Sequence, residues 1–192
     1  MPDSFGIESR YVEENPDKVF CYDKSKQLAE DECKVFTNDK AGSAGKPKWY
    51  VMKIDDLPKN KKALSTWKVV TSSAHTSDWI LLNKLELLDN QSAYGRSRIA
   101  LGMFNTKKEA ELCINYFSSY IIRWSINTVQ RGMVMFGKNT PILTNYADNS
   151  LIDCTGDIDM QLKRLIGLTD AEFVHIKESV NKNIKRDKIK EV

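Results

Sequence analysis

The chain has 192 residues, 41% of them hydrophobic and 29% charged, with a formal net charge of +3. That composition fits a globular protein with material for one core, or a core and a small appendage. No apolar run approaches the roughly 20 residues of a membrane span, and the N-terminus lacks the charged and apolar regions of a signal peptide, so a cytoplasmic protein is expected. Cys21, Cys33, Cys113 and Cys154 show no close pairing, which favours structural thiols in a reducing compartment. His75 and His175 join them at no standard zinc spacing, so no metal is expected.

In chain order, residues 4–11 are apolar enough to be tied to the body, and Asn15-Pro16-Asp17 marks a turn. A short strand is predicted over 33–37, through Val35 and Phe36. The loop 39–48 follows. Its Gly45-Lys46 is not a phosphate-binding loop, because the earlier glycine is missing and Pro47 stands where Ser or Thr must hold magnesium. Strands are predicted over 49–54 and 67–71, then a polar loop over 72–78 and a turn over 91–95. Residues 98–104 alternate, with Ile99, Leu101 and Met103 on one face.

Thr106 and Glu109 have capping-box spacing. After them Ala110, Cys113, Ile114, Phe117, Tyr120, Ile121 and Trp124 recur at helical spacing, which predicts one long helix. A basic turn around Gly132 and Gly137 leads to a further strand. Ile158, Leu162, Leu165 and Ile166 mark a short helix stopped by Gly167. Thr169 and Glu172 form a second capping box, and Phe173, Ile176, Val180 and Ile184 carry a last helix. The expected fold is α+β: a mixed sheet packed on a long central helix, with a C-terminal helical pair. Residues 1–150 form the body, and 151–192 a helical segment packed on it with a basic tail.

Positive charge is concentrated in residues 96–138. Arg96, Arg98, Lys107, Lys108, Arg123, Arg131 and Lys138 stand there against Glu109 and Glu111, a local balance of +5. Such an excess, with Asn and Gln among it, suits a surface that neutralises phosphates and reads bases. Arg131, Gln130 and Asn127 are the first candidates, since Arg matches guanine and Gln or Asn matches adenine bidentately. Arg96, Arg98, Arg123, Lys138 and the loop with Ser72, Ser73 and His75 come next. Lys46, Lys48, Lys61 and Lys68 are candidates for phosphate only. The plainer alternative is a solvated charged face with cations at a helix C-terminus.

Two other classes stay open. Pro16-Asp17 followed by Glu32-Cys33-Lys34 satisfies the pattern of magnesium-dependent nucleases, in which two carboxylates hold the metal and a lysine steadies the attacking water. A protein-interaction module whose basic face meets an acidic partner is the other.

The order of segments resembles the C-terminal target-recognition region of N6-adenine DNA methyltransferases of bacterial restriction-modification systems, including fused restriction-methylation enzymes. The likeness is carried by Phe5-Gly6-Ile7; Trp67-Lys68-Val69 leading to Ser72-Ser73-Ala74; Ile99-Ala100-Leu101-Gly102-Met103-Phe104; Lys108-Glu109-Ala110 with Tyr116-Phe117 and Ile122-Arg123-Trp124; and Gly167-Leu168-Thr169 with Glu172 and Ile176. The chain departs from the family at Tyr94-Gly95-Arg96-Ser97-Arg98, where an acidic or threonine-rich patch is usual. It departs again at Thr140-Pro141-Ile142-Leu143, where an aromatic-Val-Pro segment is usual. The resemblance implies recognition of a double-stranded DNA sequence. It also implies a catalytic methyltransferase domain, in the same or a companion chain, as partner and as holder of S-adenosylmethionine. This chain has no Pro-Pro pair for the adenine-holding loop and no Gly-x-Gly turn for the cofactor. It is therefore expected to bind no cofactor and to catalyse nothing alone.

Overall fold

The structure is a computed structural model, and it describes residues 4–40, 45–72, 85–129 and 140–190. The chain divides into two compact units: Met1–Ser73 with Glu86–Lys107, and Ala74–Leu85 with Lys108–Val192. This division falls at the start of the helical half. The class is α+β, as the periodicities require.

The first unit carries a short helix, α1 (Ser9–Glu14), and two sheets. In one, β1 (Phe20–Cys21), β3 (Pro47–Lys53), β2 (Glu32–Asn38) and β6 (Ser92–Tyr94) lie in that order. In the other, β4 (Trp67–Ser72) is flanked by β5 (Glu86–Leu88) and β7 (Arg98–Phe104). β2 and β3 form an antiparallel pair from Glu32↔Lys53 to Asn38↔Pro47. Cys33, Val35 and Thr37 turn inward and are fully buried, while Lys34 and Phe36 lie on the opposite face. The core gathers Phe5, Ile7, Val35, Met52, Val70, Leu88 and Ala100.

Two sequence expectations change here. Residues 92–94 are no turn but β6, parallel to β2 in the register Lys34↔Ser92, Val35↔Ala93, Phe36↔Tyr94. Gly95 then passes so close to β2 that a Cβ would stand 2.1 Å from Thr37 Oγ1 and 2.6 Å from the Ile7 carbonyl, so only glycine fits. β7 has the expected limits, but its alternation is broken by a register shift opposite Val69 and Val70, which leaves Ala100 and Leu101 both buried.

The second unit holds α2 (Lys107–Ser118), α3 (Tyr120–Val129), α4 (Ile158–Ile166) and α5 (Asp170–Lys190). The predicted long central helix is two helices parted at Ser119. The Asp159 carboxylate accepts from the Tyr120 amide at 3.0 Å and the Ile121 amide at 2.9 Å, which gives α3 its own N-terminal cap. Tyr116 and Phe117 meet edge to face at 5.2 Å, and Tyr116 meets Tyr146 at 5.7 Å. α3 packs on α4 and α5. Gly167 takes the left-handed conformation, φ 71°, that ends α4. The second capping box forms: the Thr169 amide donates to Glu172 Oε2 at 2.8 Å, and the Glu172 amide to Thr169 Oγ1 at 3.3 Å. No described helix is long and apolar enough to cross a membrane.

Candidate nucleic-acid interface

Five of the candidate residues converge at one end of the first unit, where the β2–β3 hairpin meets the start of β7. Strand pairing does this. Thr37 lies opposite Lys48, and the Asp39 amide donates to the Lys46 carbonyl at 2.9 Å. Ser97 bridges from β7: its Oγ accepts from the Asn38 amide at 3.3 Å and lies 3.4 Å from Thr37 Oγ1. Ser97 is flanked by Arg96 and Arg98, and Arg98 is the cross-strand partner of Ser72 at the end of β4. Lys46, Lys48, Ser72, Arg96 and Arg98 therefore lie at one end of the unit, Lys48 on the Tyr50 side of the hairpin and Arg98 on the Phe36 side, although up to 52 residues separate them in sequence (from Lys46 to Arg98).

The electrostatics of this end are uneven. The Asp39 carboxylate accepts from the Lys46 amide at 2.8 Å and pairs with Lys48 at 3.0 Å, and these bonds hold its carboxyl below the usual range. Arg96 pairs with Glu8 at 2.5 Å, both side chains being more than half exposed. Exposed pairs of this kind exchange partners at little cost. Arg98 differs. Its guanidinium donates to the Ser97 carbonyl at 2.8 Å and to Asn38 Oδ1 at 3.2 Å, and lies 4.7 Å from the centre of the Phe36 ring. Burial pulls its pKa down, and the charge of Glu86 opposes that. Both of these acceptors are neutral, so they orient the cation without cancelling it. Counting Lys40, whose charge also acts on Asp39, five cations meet Asp39, Glu8 and the more remote Glu86.

Other candidates sit elsewhere, and some are corrected. Lys68 has no exposed surface: its ammonium donates to the carbonyls of Leu64 at 2.8 Å and Thr66 at 2.7 Å, and lies over the Phe5 ring. Burial pushes its pKa down to about 8. It is a core residue and meets no phosphate. Lys61 pairs with Asp55 at 3.7 Å and lines a separate cleft of about 530 Å³ shared with Glu30, Glu32 and Lys62, whose mixed charges favour no polyanion. In the second unit Asn127 is buried and donates to the Arg123 carbonyl at 2.7 Å, one helical turn back, so it does not read a base. Arg123 is half-buried, with its Nε donating to the Phe117 carbonyl at 3.4 Å and its pKa lowered by burial. Ser73, His75, Gln130, Arg131 and Lys138 lie outside the described residues.

The residues of the nuclease pattern have other partners or none described. Asp17 is exposed in its turn, Glu32 accepts from the Ala29 amide at 3.0 Å, and Lys34 is engaged by Asp89. Among the described residues no three acidic, Cys or His side chains group as a metal site.

No family model, curated protein or solved structure matches this chain. The likeness to target-recognition regions therefore rests on the sequence segments that carry it. Sequence reasoning missed Asn38 and Asp39, which tie the basic end together. The alternation of residues 32–38 is the signal that would have placed Lys34, Phe36 and Asn38 on one face.

Proposed function

We propose that the chain is a sequence-specific double-stranded DNA recognition domain of a restriction-modification adenine methyltransferase or fused restriction enzyme. Methyl transfer and S-adenosylmethionine would belong to a catalytic domain in the same or a companion chain. The observation that carries this reading is the convergence of Lys46, Lys48, Ser72, Arg96 and Arg98 around Asn38 and Asp39. In this mechanism Lys46, Lys48 and Arg96 neutralise phosphates, which fixes register without reading sequence. Arg98, oriented by neutral acceptors, presents its remaining N–H groups to a base edge or a phosphate.

Titration of labelled duplexes by fluorescence anisotropy at several salt concentrations tests this. The wild type is expected to bind with a steep salt dependence, and Lys48→Ala to weaken binding on every sequence while lowering the slope by about one. If Arg98 reads a base, Arg98→Ala costs about 1–3 kcal/mol on the cognate site and relaxes specificity. Indifference to duplex DNA in low salt would defeat the reading and favour an acidic protein as the partner of the basic end.

A further inference from the structure

The face of the β1–β3–β2 sheet that carries Phe36, with Trp49 packed on the core cluster there, is lined by rings. Phe20 is the direct partner of Val51 on β3, and Phe36 on β2 is the direct partner of Trp49. The Tyr22 amide donates to the Trp49 carbonyl at 3.0 Å, one step beyond β1, so strand alternation sets Tyr22 on the Phe20 side. Tyr22, Trp49 and Phe36 thus occupy consecutive strands in one row. Phe36 is the floor, 5% exposed and 4.8 Å from Trp49. Trp49 and Tyr22 are half-buried, and Phe20 is 56% exposed. Water is a poor neighbour for such a row unless something flat covers it. Two cations lie along it: Lys34, which is paired with Asp89, is 5.9 Å from the Trp49 ring, and Arg98 is stacked on Phe36 at the β2 end.

We propose that this face is a stacking platform for unpaired bases, so that the domain holds single-stranded DNA as well as duplex. The inference rests on the DNA reading above, because the row ends at Arg98 and so runs into the basic end. A strand whose backbone lies against Arg98 has its bases within reach of Trp49 and Tyr22. Rings offer every base a π face, so the platform takes any sequence, while the cations hold the backbone. A protein partner would use the apolar area but has no need of the guanidinium stacked at the β2 end of the row.

The test compares four ligands of equal length with the full chain at low salt: oligo-dT, oligo-dA, an abasic strand and a duplex. Oligo-dT and oligo-dA are expected to bind at least about tenfold tighter than the abasic strand. Tyr22→Ala and Phe20→Ala, which remove exposed or half-exposed rings, are expected to weaken the base-bearing strands several-fold to tenfold and leave the duplex unchanged. Trp49→Ala is expected to do the same more strongly, and the two exposed-ring variants decide the matter if it fails to fold. Equal binding of abasic and base-bearing strands, or indifference to Tyr22→Ala and Phe20→Ala, overturns the platform while duplex binding keeps the recognition reading alive. No binding to any of the four overturns both.

Discussion

The two units solve the same problem, a chain's unpaired polar groups, by different means. In the second unit the solutions are mostly local. Asp157 accepts from the Met160 amide at 3.0 Å, Thr169 and Glu172 cap each other, and Gly167 closes α4 within its own turn. In the first unit the solutions come from far away in sequence. The carbonyls of Leu64 and Thr66 are satisfied by a lysine ammonium buried under Phe5, and β2 finds a parallel neighbour 58 residues on, Ser92 beside Lys34. Local caps add roughly independent increments, whereas a buried cation ties stability to pH.

The largest expected effect sharpens that contrast. An unfolded lysine titrates near 10.5, but Lys68 in the fold is pushed down to about 8. Between those values the unfolded chain binds the extra proton, so this group's contribution to stability rises with pH from about 8 to 10.5 and is level outside that window. Removing the ammonium in Lys68→Met should abolish the rise. The wild type is therefore expected to gain on the variant by up to about 3 kcal/mol across the window, in paired denaturant titrations. The difference between the two curves isolates Lys68 from Cys33, which burial pushes up to about 11 and which acts in the opposite sense. A flat difference would mean that the ammonium is solvated.

A smaller effect probes a long-range cap of the second unit. Asp159→Ala strips the Tyr120 and Ile121 amides of their acceptor and is expected to cost about 2 kcal/mol. If α2 and α3 then read through as one helix, circular dichroism would show helix content held or raised instead of lost. Smallest is the purely local change. Thr169→Ala opens one half of the capping box and is expected to lower stability by about 1 kcal/mol. It should leave DNA binding untouched, and a loss of binding would tie the C-terminal helix to the interface.

What could be read in the sequence follows the same division. The limits of β7, the strands around Val35, Tyr50 and Val69, and the capped C-terminal pair all follow from residues within a few positions of one another. The break at Ser119 could not be read, because apolar spacing runs unbroken from Ala110 to Trp124 and the cap comes from Asp159, 39 residues beyond Tyr120. β6 could not be read either: Ser-Ala-Tyr before a glycine is turn-like until a parallel partner is supplied. For the candidate site, composition located an excess of cations but not their surroundings. It ranked Asn127 high and counted Lys68 as a surface charge, although one is bonded to its own helix and the other lies in the core.

By itself, then, the sequence determined the α+β class, most element limits, and the presence of more cations than one stretch of helix needs. Those properties depend on periodicity and on neighbours close along the chain. Only the tertiary structure decided which cations share a surface, which are buried, and that a row of rings leads into Arg98. Side chains distant in sequence meet through strand register, and register follows from the packing of the whole unit.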